Sequence, residues 1–263
     1  MGKITVNTLQ AMKEAGEKFC CITAYDATFA RLIAAAGAET MLVGDSLGMV
    51  LQGHDSTIPV TIDDMAYHTA CVARAGTDAL VMADMPFMAY ATIDQTLANA
   101  TQLMQAGAAM VKMEGGTWLS DSIHALVERG IPVCAHLGLT PQSVNVFGGY
   151  RVQGRTPKGA KSILADAVEI QDAGASILVL ECIPTELATD ISSKLEIPVI
   201  GIGAGPGTDA QVLVMHDLLG LGEHQPRFVK NFMAGQASVQ DALKAFVDAV
   251  KSGAYPEPEH SYE

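Results

Sequence analysis

At 263 residues the chain can bury a full core, as one large domain or two small ones. Its net charge is −13, and its 16 Lys and Arg are spread without a basic tract, which argues against nucleic acid or an anionic membrane as partner. No apolar run approaches the ~18 residues of a membrane span, and Met1-Gly-Lys-Ile-Thr has no apolar signal core, so a cytoplasmic protein is the default expectation.

In chain order, Asn7 to Ala15 has Leu9 and Met12 at helical spacing and Gly16 as a stop. Phe19–Asp26 reads as a strand, Phe29–Ala36 as a helix closed by Gly37, and Thr40–Asp45 as a second strand. Thr61 caps a helix running to about Arg74, with Asp64 at the capping-box position. Ala79–Asp84 is a strand, Thr92 caps a helix ending at Gly107, and Met110–Glu114 is a further strand. A helix from about Leu119 to Glu128 leads to the strand Pro132–His136. After a long loop, Leu139 to Ala160, come a helix from about Lys161 to Asp172, the strand Ser176–Glu181, a helix from Thr185 to Leu195 and the strand Pro198–Gly203. Gln211–Met215 is the last strand, and Ser238–Val250 is an amphipathic helix. Residues 252–263 are polar and proline-bearing and are expected to fray.

Three segments repeat one phrase: Ala36-Gly-Ala-Glu-Thr-Met-Leu-Val-Gly-Asp, Ala106-Gly-Ala-Ala-Met-Val-Lys-Met-Glu and Ala173-Gly-Ala-Ser-Ile-Leu-Val-Leu-Glu. Each leaves a helix at Gly and enters a strand that ends in charge. About eight strand–helix units predict a single-domain (β/α)8 TIM barrel over residues 1–263. An open doubly wound sheet is the rival, disfavoured because no GxGxxG follows the first strand.

The strand ends carry the chemistry. Asp26, Asp45, Asp84, Lys112 with Glu114, His136 and Glu181 would converge on one mouth of such a barrel. Lys112 and Glu114 are two apart, so a pleated strand puts both on one face. Any single Asp after a strand is readily a helix cap; six strands ending this way are not explained so simply. Asp45, Asp84 and Glu114 suit a hard divalent cation such as Mg²⁺, which takes one or two carboxylates directly and keeps waters. Glu181 ends the most apolar strand, and partial desolvation there favours a proton-accepting carboxylate; a Glu paired with a Lys or Arg in the mouth is the bland reading. Lys112 would either pair with it or bind an anionic substrate group. Metal, base and cation together suggest proton abstraction next to a carbonyl.

Two further features carry weaker expectations. Gly201-Ile-Gly-Ala-Gly-Pro-Gly-Thr could cradle a phosphate at a helix N-terminus, although glycine-rich turns are often only tight turns. The five cysteines, without CxxC spacing, read as buried small hydrophobes; Cys182 is expected by alternation to point away from the face Glu181 uses.

Met41-Leu-Val-Gly-Asp45-Ser46-Leu-Gly-Met with Gln52-Gly-His-Asp-Ser-Thr resembles the ketopantoate hydroxymethyltransferase family. So do Ala83-Asp84-Met-Pro-Phe-Met, Val111-Lys112-Met-Glu114-Gly-Gly, His136-Leu-Gly-Leu-Thr-Pro-Gln-Ser, Leu180-Glu181-Cys and Gly201-Ile-Gly-Ala-Gly. The likeness runs from about residue 3 to residue 260. It implies a (β/α)8 barrel assembled as a homodecamer of two pentamers, with Mg²⁺ as cofactor and 5,10-methylenetetrahydrofolate as co-substrate. The implied reaction hydroxymethylates 3-methyl-2-oxobutanoate to 2-dehydropantoate on the route to pantothenate and coenzyme A. The resemblance makes Asp45 and Asp84 direct metal ligands and Glu114 a metal-site residue acting through water. It sets Ser46 and Lys112 on the substrate, Glu181 as proton acceptor and His136 in the pocket lining. Folate is large, and the Leu139–Ala160 loop is long enough to serve as its lid. Two other readings compete: a phosphoenolpyruvate mutase or isocitrate lyase relative, which is also a Mg²⁺ barrel acting on α-oxo acids, and a non-catalytic keto-acid-binding barrel.

Overall fold

A computed structural model describes residues 2–222 and 225–263. Eight strands pair in parallel as a closed barrel in sequence order: β1 (Phe19–Thr23), β2 (Thr40–Val43), β3 (Leu80–Asp84), β4 (Met110–Glu114), β5 (Val133–Gly138), β6 (Ile177–Glu181), β7 (Val199–Ile202) and β8 (Ala210–Leu213). The helices are α1 (Val6–Glu14), α2 (Ala27–Ala36), α3 (Leu47–Val50), α4 (Ile62–Ala73), α5 (Ile93–Ala106), α6 (Ser120–Val127), α7 (Val144–Phe147), α8 (Pro157–Asp172), α9 (Thr185–Lys194), α10 (Met215–Leu218) and α11 (Val239–Lys251). The strands are buried on both faces, as all-parallel strands under a helical layer must be.

Local chemistry explains the helix starts. Thr61 and Asp64 form the expected reciprocal capping box, Thr61 N–H donating to Asp64 Oδ2 at 2.9 Å. Thr92, Thr156 and Ser238 each accept a first-turn N–H. Asp26, expected at the mouth, caps α2 instead: its Oδ1 accepts N–H bonds from Thr28 at 2.7 Å and Phe29 at 2.9 Å. The first strand accordingly stops at Thr23, three residues short of the expected end.

α1 lies across the N-terminal ends of the strands. Its Lys13 pairs with Asp209, the residue before β8, at 2.8 Å, and its Gln10 donates to the Glu196 carbonyl ahead of β7. The C-terminal strand ends are left open as the mouth.

Three expectations need correction. Residues 252–263 do not fray: Tyr255 is buried, its hydroxyl donates to the Phe228 carbonyl at 2.5 Å, and the Tyr262 carbonyl accepts Thr185 N–H at 2.9 Å. Buried aromatic surface anchors a segment whose composition reads as polar. The glycine-rich run after β7 reaches β8 with no helix between them, so no helix N-terminus is there to receive a phosphate. It is an internally bonded crossover instead, with Gln211 Nε2 donating to Gly205 O at 3.0 Å and Thr208 Oγ1 at 2.9 Å. Finally, the long loop after β5 holds α7, and α8 begins at Pro157 behind the Thr156 cap, four residues earlier than expected.

Candidate active site

Parallel register brings the charged strand ends side by side. Asp84 is the β3 partner of Lys112, Glu114 the β4 partner of His136, and Gly138 the β5 partner of Glu181. Lys112 Nζ lies 2.6 Å from Asp84 Oδ1 and 3.6 Å from Glu114 Oε1, so Lys112 and Glu114 do share one face, as their spacing requires. Asp84 Oδ2 accepts the Asp45 N–H at 3.0 Å, which ties the end of β2 into the same arc. Asp45, Asp84, Lys112, Glu114 and His136 are each at most 4% exposed.

His136 links this arc to Glu181. Its Nδ1 stands 3.4 Å from Glu114 Oε1 and its Nε2 3.3 Å from Glu181 Oε2. Neither contact has aligned hydrogen-bond geometry, so the ring sits between two carboxylates as an ion-pair bridge. Burial and the Lys112 charge oppose its protonation, yet the flanking carboxylates push the imidazole up to about 9. These surroundings favour its protonated form. The Glu181 side chain keeps 14% exposure, the wettest carboxylate of the group, and its partner is this histidine rather than the Lys or Arg of the bland reading.

Gly138 makes the β5–β6 approach possible. It adopts φ 91°, and a Cβ there would fall 2.2 Å from the Glu181 carbonyl. The Cys182 backbone takes φ 46°, an unusual value for a side-chain-bearing residue, and this kink ends the alternation. Cys182 therefore lines the cavity with Glu181 instead of pointing away from it. Burial and then the Glu181 charge hold its thiol well above the usual range, which removes it as a nucleophile.

Two residues escape sequence reasoning. Gln142 knits the floor together: its Nε2 donates to Asp45 Oδ2 at 2.8 Å, its N–H to Glu114 Oε2 at 3.0 Å, and its Oε1 accepts from Tyr90 at 2.5 Å. It falls within the family-like run His136-Leu-Gly-Leu-Thr-Pro-Gln-Ser, but on a loop without periodicity that run assigns it no contact. Tyr25 shares a 2.9 Å hydroxyl hydrogen bond with Ser46, so that Ser46 lines the cavity from a fixed position.

The cavity above this floor measures about 640 Å³. Among the described residues no three His, Cys, Asp or Glu side chains stand together as a ready-made ion cage. The donor set still fits a hard cation that takes few protein ligands. Burial, then the Asp84 and Glu114 charges, hold the Asp45 carboxyl well above the usual range, and a bound cation would relieve that crowding of carboxylates. Asp45 and Asp84 are the oxygen donors that would hold such an ion. All three carboxylates already hold protein partners, and Glu114, engaged by Lys112, His136 and Gln142, is the most occupied, so its contribution would pass through water.

Residues 3–258 match a family model described as ketopantoate hydroxymethyltransferase. The chain is 59% identical over 264 residues to the 3-methyl-2-oxobutanoate hydroxymethyltransferase of Pseudomonas fluorescens (strain Pf0-1), covering 100% of this chain and 99% of that protein. It is 61% identical over 260 residues to the 3-methyl-2-oxobutanoate hydroxymethyltransferase 2 of Hahella chejuensis, covering 98% of each. Among solved structures, a phosphonopyruvate hydrolase complexed with oxalate and Mg²⁺ superposes with a TM-score of 0.63 at 15% identity, over 94% of this chain and 96% of that one. A 2,3-dimethylmalate lyase of the PEP mutase/isocitrate lyase superfamily gives 0.61 at 18% identity over 84% of each. At those identities the structural likeness is one of fold alone.

Proposed function

We propose that this chain, which belongs to the ketopantoate hydroxymethyltransferase family, transfers a hydroxymethyl group from 5,10-methylenetetrahydrofolate to 3-methyl-2-oxobutanoate, giving 2-dehydropantoate and tetrahydrofolate. The observation that carries the reading is the continuous arc from Asp45 to Glu181. It sets a carboxylate pair, a buried lysine and a more exposed carboxylate around one cavity.

Mg²⁺ held by Asp45 and Asp84 would polarise the keto group and offset charge that develops on its oxygen. The protein's own groups do the rest. Ser46, fixed by Tyr25, and Lys112, fixed by Asp84, orient the anionic end of the keto acid. Glu181 removes the C3 proton. His136 bridges Glu181 to Glu114, so that base and floor hold one geometry. One C–N bond of the donor's methylene bridge opens to leave an iminium carbon, the carbon nucleophile attacks it, and water takes the place of the remaining C–N bond, releasing tetrahydrofolate and leaving the hydroxymethyl group on C3. The loop after β5, which carries Pro141 and Tyr150 to the cavity, covers the donor. The active particle is a homodecamer of two pentamers acting in the cytoplasm in pantothenate synthesis, and sedimentation finding ten chains per particle would support that assembly.

The test mixes 3-methyl-2-oxobutanoate, Mg²⁺ and methylenetetrahydrofolate with the protein. Formation of 2-dehydropantoate is expected, and its absence overturns the reading. Without folate, the wild type should exchange the C3 hydrogen of the keto acid for deuterium and Glu181→Gln should not; equal exchange removes Glu181 as the base.

A further inference from the structure

The cavity is far larger than a five-carbon acid requires; its 640 Å³ falls in the range of drug-sized ligands, ~300–1,000 Å³. Its two sides differ. The floor between β2 and β5 is charged, and each of its carboxylates is matched to a donor or cation of the chain. The wall formed beyond β6 is mostly apolar, with Ile202, Val212, Val214, Phe228 and Tyr262, and Gln225 adds a neutral amide. Phe228 and Tyr262 close over Gly203, where an added Cβ would meet them at 2.9 and 3.1 Å.

Asp217, on α10, lines that apolar side. Its carboxylate accepts no hydrogen bond and forms no ion pair among the described residues. Burial alone pushes it up to about 6. Asp217 is half-buried, so its carboxylate is met only by the open cavity and its solvent, and that partial desolvation without a protein donor costs stability. A ligand that supplies donors there would recover that cost.

The donor molecule of the proposed reaction has a matching edge. A reduced pterin carries its 2-amino group and its ring N3–H as two parallel donors, the same fork by which a guanidinium engages a carboxylate. The rest of the bicycle is flat and largely apolar. We infer that Asp217 receives the 2-amino and N3–H edge of the folate pterin, with the ring seated in the apolar half of the cavity against Phe228 and Tyr262. This rests on the reading above, in which folate is the one-carbon donor.

The test uses equilibrium binding of tetrahydrofolate and of its 2-desamino analogue. The wild type should bind tetrahydrofolate about 10- to 100-fold more tightly than the analogue, the worth of a hydrogen bond to a charged group. Asp217→Ala should bind the two equally, at the weaker affinity. Asp217→Asn preserves shape and keeps one acceptor, so it should discriminate weakly; it also serves if the alanine variant fails to fold. Equal discrimination by the wild type and Asp217→Ala, or none by the wild type, overturns the inference alone. Failure of the wild type to bind tetrahydrofolate at all, while C3 deuterium exchange proceeds, overturns the donor assignment as well.

Discussion

The two sides of the barrel mouth are built on opposite rules. From β2 to β5 every buried charge has a partner within the chain, and parallel register fixes each pair, as with Asp84 beside Lys112. From β6 to β8 the wall is mostly apolar, and among the described residues its one carboxylate, Asp217, has no partner. Reacting groups must be held before the substrate arrives, whereas a recognition group is most useful while its bonds are still unmade. Glu181 stands at the boundary, tied to the charged side through His136 and neighboured by apolar Ile202 on the other.

That contrast can be broken from either side. The largest effect is expected at the boundary: Glu181→Gln should lower kcat by about 10²- to 10⁴-fold with unfolding midpoints close to wild type, since its side chain is the most exposed of the arc. On the charged side, Asp84→Ala strands Lys112 as a buried charge without its closest partner. Urea titration should show a loss of about 3–5 kcal/mol, with Asp84→Asn losing less. A variant as stable as wild type would mean that the floor tolerates unpaired charge and that the contrast is false.

Predictions on the apolar side are smaller. Tyr262→Ala should raise KM for methylenetetrahydrofolate by roughly 2- to 10-fold, the worth of one aromatic contact, and change KM for the keto acid less. An equal rise for both would make Tyr262 a general support of the mouth. The smallest effect concerns pH. The Asp217 carboxyl is raised from 3.8 to about 6 in the folded chain, so between those values the native state holds more of the proton than the unfolded state. Stability should therefore fall as pH rises through that window. Asp217→Asn removes this dependence and should be more stable than wild type at pH 7 by about 1 kcal/mol, discounted for partial exposure. Parallel wild-type and variant stability curves from pH 4 to pH 7 would count against a desolvated Asp217.

What the amino-acid sequence made legible follows the same division. The barrel and its charged arc were readable because strands have a period of two and each brings its last residues to a common end. Lys112 and Glu114 needed nothing beyond that period. Asp26 was misplaced because an acid after a strand serves equally as a cap, and only the Thr28 and Phe29 amides decide between the two. Gln142 and Tyr262 were illegible for a different reason. Both lie on irregular chain, where side-chain direction depends on tertiary contacts rather than on spacing. Cys182 was misread because one backbone angle broke the alternation on which its expected direction rested.

Closure of the barrel has a consequence for how the chain is made. One edge of β1 finds its partner only in β8, and the Thr23 hydroxyl receives the Met215 amide across 192 positions. At ~5–20 residues per second, a nascent chain carries that edge uncovered for roughly 10–40 s, with the buried Phe19, Cys20 and Ile22 among its residues. Completion of the hydrogen-bonded ring therefore waits on translation itself. During that interval an unpaired, apolar strand edge is open to other chains, and this is the moment at which molecular chaperones would matter most to the yield of folded protein.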